Sequence, residues 1–149
     1  MKGGGRLPRR GLTWLVMAGV AAALLGSPAG VAGQAARVGR EFEVGVGRVV
    51  GLDRGRLLLR FARVASDSRC PVDVNCVWAG NAEVSVEVGG RLWRGKQTLT
   101  LNTNAGGQVP SEAKYGRYTV RLVGLSPQPR GDRKIPPGRY TATLLVSKE

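Results

Sequence analysis

The sequence predicts an all-β domain, a single antiparallel sandwich of six or seven strands, immunoglobulin-like in outline and preceded by a signal peptide. Three observations lead there. Beyond residue 35 no stretch keeps a 3.6-residue apolar period for three turns, which argues against amphipathic helices. Period-two alternation recurs instead in short runs, punctuated by Gly, Asn and Pro. The chain has 149 residues, enough for one hydrophobic core but not for two domains with separate cores.

The first 35 residues read as an export signal, so residues 36–149 form the predicted sandwich domain. Lys2, Arg6, Arg9 and Arg10 precede an apolar run from Leu12 to Leu25, which is too short to span a bilayer as a helix. Pro28 then breaks the run, and the small residues that follow place cleavage between Ala32 and Ala36. Arg9-Arg10 partly matches a twin-arginine signal, but Pro8 and Thr13 fit that pattern poorly, and ordinary secretion fits better. The first cysteine is Cys70, far from the apolar run, so a lipoprotein anchor is not expected. After cleavage no stable membrane anchor remains, and the protein is expected in the periplasm, the cell envelope or outside the cell.

The strands follow in order. Glu41–Val46 alternates with Phe42, Val44 and Val46 on one face, and Val49 and Val50 extend it past Gly47. Asp53-Arg54-Gly55 turns into Arg56–Val64, where Leu57, Leu59 and Phe61 share a face. Ala82–Val88 alternates most cleanly, with Ala82, Val84, Val86 and Val88 inward and Glu83, Ser85 and Glu87 outward. Gly89-Gly90 signals a two-residue hairpin into Arg91–Trp93 and Gln97–Leu101. Asn102 to Pro110 reads as a loop, and with the polar residues up to Lys114 it makes the longest unpatterned stretch before the next strand. Tyr118–Leu125 resumes the alternation with Tyr118, Val120 and Leu122 inward. Four prolines make Ser126–Gly138 a crossing loop, and Arg139–Val146 closes the domain with Tyr140, Ala142, Leu144 and Val146 inward.

Between two of these strands, residues 65–80 hold both cysteines and no alternation. In an exported chain Cys70 and Cys76 are expected to form a disulfide that clamps a compact loop, shaped by Pro71, Asp73 and Asn75. Trp78 is expected to pack against the bridge or the core. Three other readings apply to the same loop. A metal on the two thiolates would need carboxylates or Asn75 to complete it, because the chain has no His. Calcium would draw on Asp67, Asp73 and Asn75. Arg69, beside a rigid loop, could enter a protease cleft as an inhibitor, unless it pairs with Asp67 or a strand end. Asp67, Arg69 and Trp78 are thus the candidate interaction residues.

The run Asp67-Ser68-Arg69-Cys70-Pro71, then Cys76, then Trp78-Ala79-Gly80 resembles a group of small exported bacterial β-domain proteins, many of them uncharacterised. The resemblance is strong over residues 67–80 and loose elsewhere. It implies a secreted β-domain with a short disulfide loop, and it carries over no activity, substrate or catalytic residue.

Charge and motif content narrow the function. Lys and Arg number 23 against 10 Asp and Glu, and removing the four signal cations leaves the domain at +9. Arg56, Arg60, Arg117 and Arg121 form one basic patch if their strands share a sheet. Nucleic acid is a poor partner for an exported protein, whereas acidic polysaccharide or anionic lipid headgroups suit such a patch. Without His, the usual base of Ser and Cys nucleophiles is missing. The ten acids are scattered, and no phosphate loop, dinucleotide fingerprint or nucleophile elbow occurs. Arg130-Gly131-Asp132 spells an integrin-binding tripeptide, discounted because Arg and Gly are abundant. No catalytic, cofactor or metal site is expected. The leading expectation is a non-catalytic envelope or extracellular binding protein with a disulfide-clamped loop, and the alternative is a protease inhibitor acting through Arg69.

Overall fold

A computed structural model of the chain describes residues 36–104, 110–131 and 133–149. The predicted export signal, residues 1–35, and Asp132 of the tripeptide lie outside the described residues. The strands are β1 (Glu41–Gly45), β2 (Val49–Leu52), β3 (Leu57–Asp67), β4 (Ala82–Gly90), β5 (Gln97–Asn102), β6 (Glu112–Tyr115), β7 (Tyr118–Ser126) and β8 (Thr141–Lys148). They form two four-stranded antiparallel sheets, ordered β1-β8-β7-β6 and β2-β3-β4-β5, so the sandwich holds eight described strands rather than six or seven.

One core joins the sheets. Leu57, Leu59 and Phe61 of β3 and Val84, Val86 and Val88 of β4 meet Val120 of β7 and Ala142, Leu144 and Val146 of β8, all with negligible exposure. These are the positions that the alternation places inward. Bulges adjust the pattern along the longer strands. In β7 the register shifts between Leu122 and Gly124, so Leu125, which strict alternation would put outside with Val123, turns back into the core.

The first expected strand is divided between the sheets. Val46 N donates to Tyr140 O at 3.1 Å in the first sheet, and the next residue, Gly47 N, donates to Phe61 O at 2.7 Å in the second. Gly47 has a φ of +79°, a left-handed turn that redirects the chain, so Val49 and Val50 begin β2 instead of prolonging β1.

Two further expectations change. Gly89 and Gly90 remain in β4, opposite Leu58 and Leu57, and the reversal is a 3₁₀ turn at Arg91–Trp93 closed by Gly90 N to Arg94 O at 2.8 Å. Gly89 is needed for space: a Cβ there would meet Trp93 Cε3 at 3.0 Å and Trp93 Cα at 3.1 Å. Glu112–Tyr115, whose first three residues fall in the stretch expected to be unpatterned, is edge strand β6; its Ala113 and Tyr115 lean on the core while Glu112 and Lys114 face out. Two inward residues give too short an alternation to recognise.

The four-arginine patch does not form. β3 and β7 belong to different sheets, so Arg60 and Arg121 leave opposite outer faces of the sandwich. Each meets an acid from the neighbouring strand: Arg60 with Glu87 at 3.4 Å, Arg121 with Glu112 at 2.7 Å.

Candidate functional site

The loop between β3 and β4 is built as an extension of their ladder. Ser68 N donates to Asn81 O at 2.7 Å and Cys70 N to Ala79 O at 3.0 Å. Gly80 permits this close approach, because it has a φ of +68° and a Cβ there would lie 1.9 Å from Ser68 O. Beyond the last rung, Cys70 and Cys76 are joined by a disulfide with Cα atoms 6.0 Å apart. Both sulfurs are therefore occupied by each other, and among the described residues no group of three or more His, Cys, Asp and Glu converges on a common point.

Asp67 and Arg69 lie at the root of this loop and hold it to the body. The guanidinium grips Asp67 with two parallel bonds, Nε to Oδ1 at 2.8 Å and Nη2 to Oδ2 at 2.7 Å. It also donates to the carbonyls of Leu125 and, at 2.9 Å, Pro127, at the end of β7 in the opposite sheet. The Tyr140 hydroxyl donates to Asp67 Oδ2 at 3.0 Å from the same sheet. Burial alone would raise the Asp67 pKa, but the Arg69 and Tyr140 hydrogen bonds and the guanidinium charge outweigh it and hold the carboxyl below its ordinary value. Burial, then the bond to Asp67, pushes the Tyr140 hydroxyl above its ordinary value. A second anchor lies before β3: Asp53 accepts from Lys148 at 2.8 Å and from the Tyr118 hydroxyl at 2.6 Å, and these bonds lower its pKa to about 2.

Two of the candidate residues are thus structural partners. The Arg69 side chain is only 7% exposed and fully engaged, so it is withdrawn from any protease cleft. Trp78 is the reverse. It was expected against the bridge or the core, yet it is 82% exposed. The seven-residue ring closed by the disulfide is too small to cover an indole, and the last rung at Ala79 leaves Trp78 outside the ladder.

Trp78 has apolar company that the sequence reading missed. Val77 is 90% exposed, and Val72 and Val74 are each more than half exposed. The available signal was three valines within a stretch too short and too irregular to be a strand. The crossing loop after β7 packs beside them: Val72 N donates to Pro129 O at 3.0 Å, and Gly131 N donates to Asp73 Oδ1 at 2.6 Å. A cleft of about 360 Å³ runs between the two loops, bordered by Pro71, Arg133 and Lys134.

Compared with known proteins, the chain matches no family, no curated protein and no solved structure.

Proposed function

We propose that the chain is an exported, non-catalytic binding protein that presents its disulfide-clamped loop to a partner in the envelope or outside the cell. The observation that carries this reading is the exposure of Val77 and Trp78, adjacent in sequence and both more than four-fifths solvated. Each such side chain gains roughly 1.5–3 kcal/mol when buried, so a rigid loop that holds them in water retains that energy for a partner. The bridge and the Asp67–Arg69 anchor support the reading further, since a preorganised loop loses little entropy on binding. The protease-inhibitor alternative has no such support, because Arg69 is buried in the loop's own anchor.

Photocrosslinking in the native host tests the proposal. A photoreactive phenylalanine analogue replaces Trp78 in one variant and Leu92, itself 87% exposed, in another. Adducts are expected from position 78 and not from position 92. Equal yields from both positions, or none from position 78, would refute a binding role for this loop.

A further inference from the structure

The geometry points to an anionic lipid surface as the partner of this loop, with Val77 and Trp78 entering the interface while Arg130, Arg133 and Lys134 contact headgroups. This rests on the binding role proposed above. The two ingredients lie at one end of the sandwich, where the β3–β4 and β7–β8 connections emerge together.

The apolar part is a convex tip. Val72, Val74, Val77 and Trp78 are exposed within seven consecutive residues, the first two inside the disulfide ring and the last two directly after it. An indole beside aliphatic side chains is the composition that settles at a membrane–water boundary, where its apolar body is buried and its N–H stays wet.

The cationic part is physically attached to the tip. Gly131 lies between Arg130 and the Arg133-Lys134 pair, and its N–H is held by Asp73 of the clamped loop at 2.6 Å. That bond also directs the one carboxylate of the tip toward the neighbouring loop. Arg130, Arg133 and Lys134 are all exposed, and among the described residues none of them makes an ion pair. The segment Arg130–Lys134 carries three cations against the single acid Asp132. What sets this segment apart is position: three cations within five residues sit against the exposed apolar tip, joined to it by the Gly131–Asp73 bond. Cations next to a shallowly inserted apolar tip are what an anionic leaflet attracts, within a screening length of about 8 Å at physiological salt.

The experiment is vesicle co-sedimentation of the full chain purified from its own host. One set of vesicles contains phosphatidylglycerol and phosphatidylcholine, the other phosphatidylcholine alone. Wild type is expected to bind the anionic vesicles at least tenfold more tightly, with binding that weakens as salt rises. The double variant Val77→Ser/Trp78→Ser should lose at least tenfold, and Arg130→Ser/Arg133→Ser/Lys134→Ser should lose a similar factor together with the salt dependence. Intact disulfide mass and unchanged circular dichroism verify that both variants fold. Equal binding by wild type and the apolar double variant would overturn the inference, because the loop would then contribute nothing. So would no binding to anionic vesicles, or a Trp78-dependent self-association in ultracentrifugation that competes with the vesicles. A protein adduct at position 78 without vesicle binding would overturn the lipid inference and leave the binding role standing. Absence of both would remove the two together.

Discussion

The Tyr140 hydroxyl donates to Asp67 Oδ2 at 3.0 Å, tying the residue that precedes β8 in one sheet to the last residue of β3 in the other. At the other end of β3 the same pairing recurs, with Tyr118 donating to Asp53 at 2.6 Å. The sandwich is therefore pinned across its core at both ends of one strand by a phenol and a carboxylate, and the first of these pins also carries Arg69.

Breaking the Arg69 pin should cost stability out of proportion to its polar character. Arg69→Leu leaves the Asp67 carboxylate without its cation, held only by the Tyr140 hydroxyl and the residue 69 N–H, and removes the donors to Leu125 O and Pro127 O, so urea unfolding should show a loss of about 2–4 kcal/mol. Tyr140→Phe, which deletes one bond and keeps the ring, should lose about 1 kcal/mol. An unchanged urea midpoint for Arg69→Leu would show that the pin contributes nothing to stability.

Both aspartates predict the acid limb of stability. Their folded pKa values lie below the unfolded ones, so the stability they contribute is present above the unfolded value near pH 4 and is lost as pH falls through the folded values, about 2 for Asp53. Tyr118 and Tyr140 are shifted upward, and their contribution is present below about pH 10 and fades above it. Asp53→Asn and Asp67→Asn should flatten the acid limb of a stability–pH profile, and the two Tyr→Phe variants the alkaline limb. Variant profiles parallel to wild type would count against this linkage.

Gly80 and Gly116 make a matched test of backbone strain against steric clash. Both have positive φ, but a Cβ at Gly116 meets nothing within 4 Å while one at Gly80 collides with Ser68 O. Gly116→Ala should cost about 1 kcal/mol, the ordinary left-handed penalty. Gly80→Ala should cost clearly more and expose the first rung of the loop to rapid amide exchange. Equal costs would mean that the loop yields freely.

Reduction should soften the loop without unfolding the domain. A seven-residue ring gives a chain-entropy contribution of about 2.4 kcal/mol, and the core residues come from strands on either side of it. A Cys70→Ser/Cys76→Ser variant should keep its β circular dichroism and lose about 2 kcal/mol in urea. A random-coil spectrum would contradict that expectation.

Trp78→Ser should leave thermal stability within about 0.5 kcal/mol of wild type, since the indole is solvated, whereas Phe61→Ala in the core should cost about 3–5 kcal/mol. A large loss at Trp78 would show that the side chain supports the fold.

Alternation made the core legible. Leu57, Leu59, Phe61, Val84, Val86 and Val88 could be placed because each strand has one face against apolar surface, and a period of two records that directly. The disulfide and the Asp67–Arg69 pair were also within reach, because both are local in sequence. What stayed hidden was long-range. Whether β3 and β7 share a sheet decides the fate of four arginines, and strand order is not encoded in any single run. Trp78 is misplaced for a related reason: an indole usually gains free energy by leaving water, so burial is the default expectation, and only the ladder geometry at Cys70 and Ala79 reveals that it stands beyond the last rung.

Among the described residues β1 pairs with β8 alone, with Glu41 opposite Leu145, more than a hundred positions further along the chain. The meander β2-β3-β4-β5 draws on residues 49–102 alone and needs neither β1 nor β8 for its ladder. The first sheet cannot close over that meander until β8 is present, so a chain cut off or held before β8 would leave the apolar face of β2-β5 open to other chains.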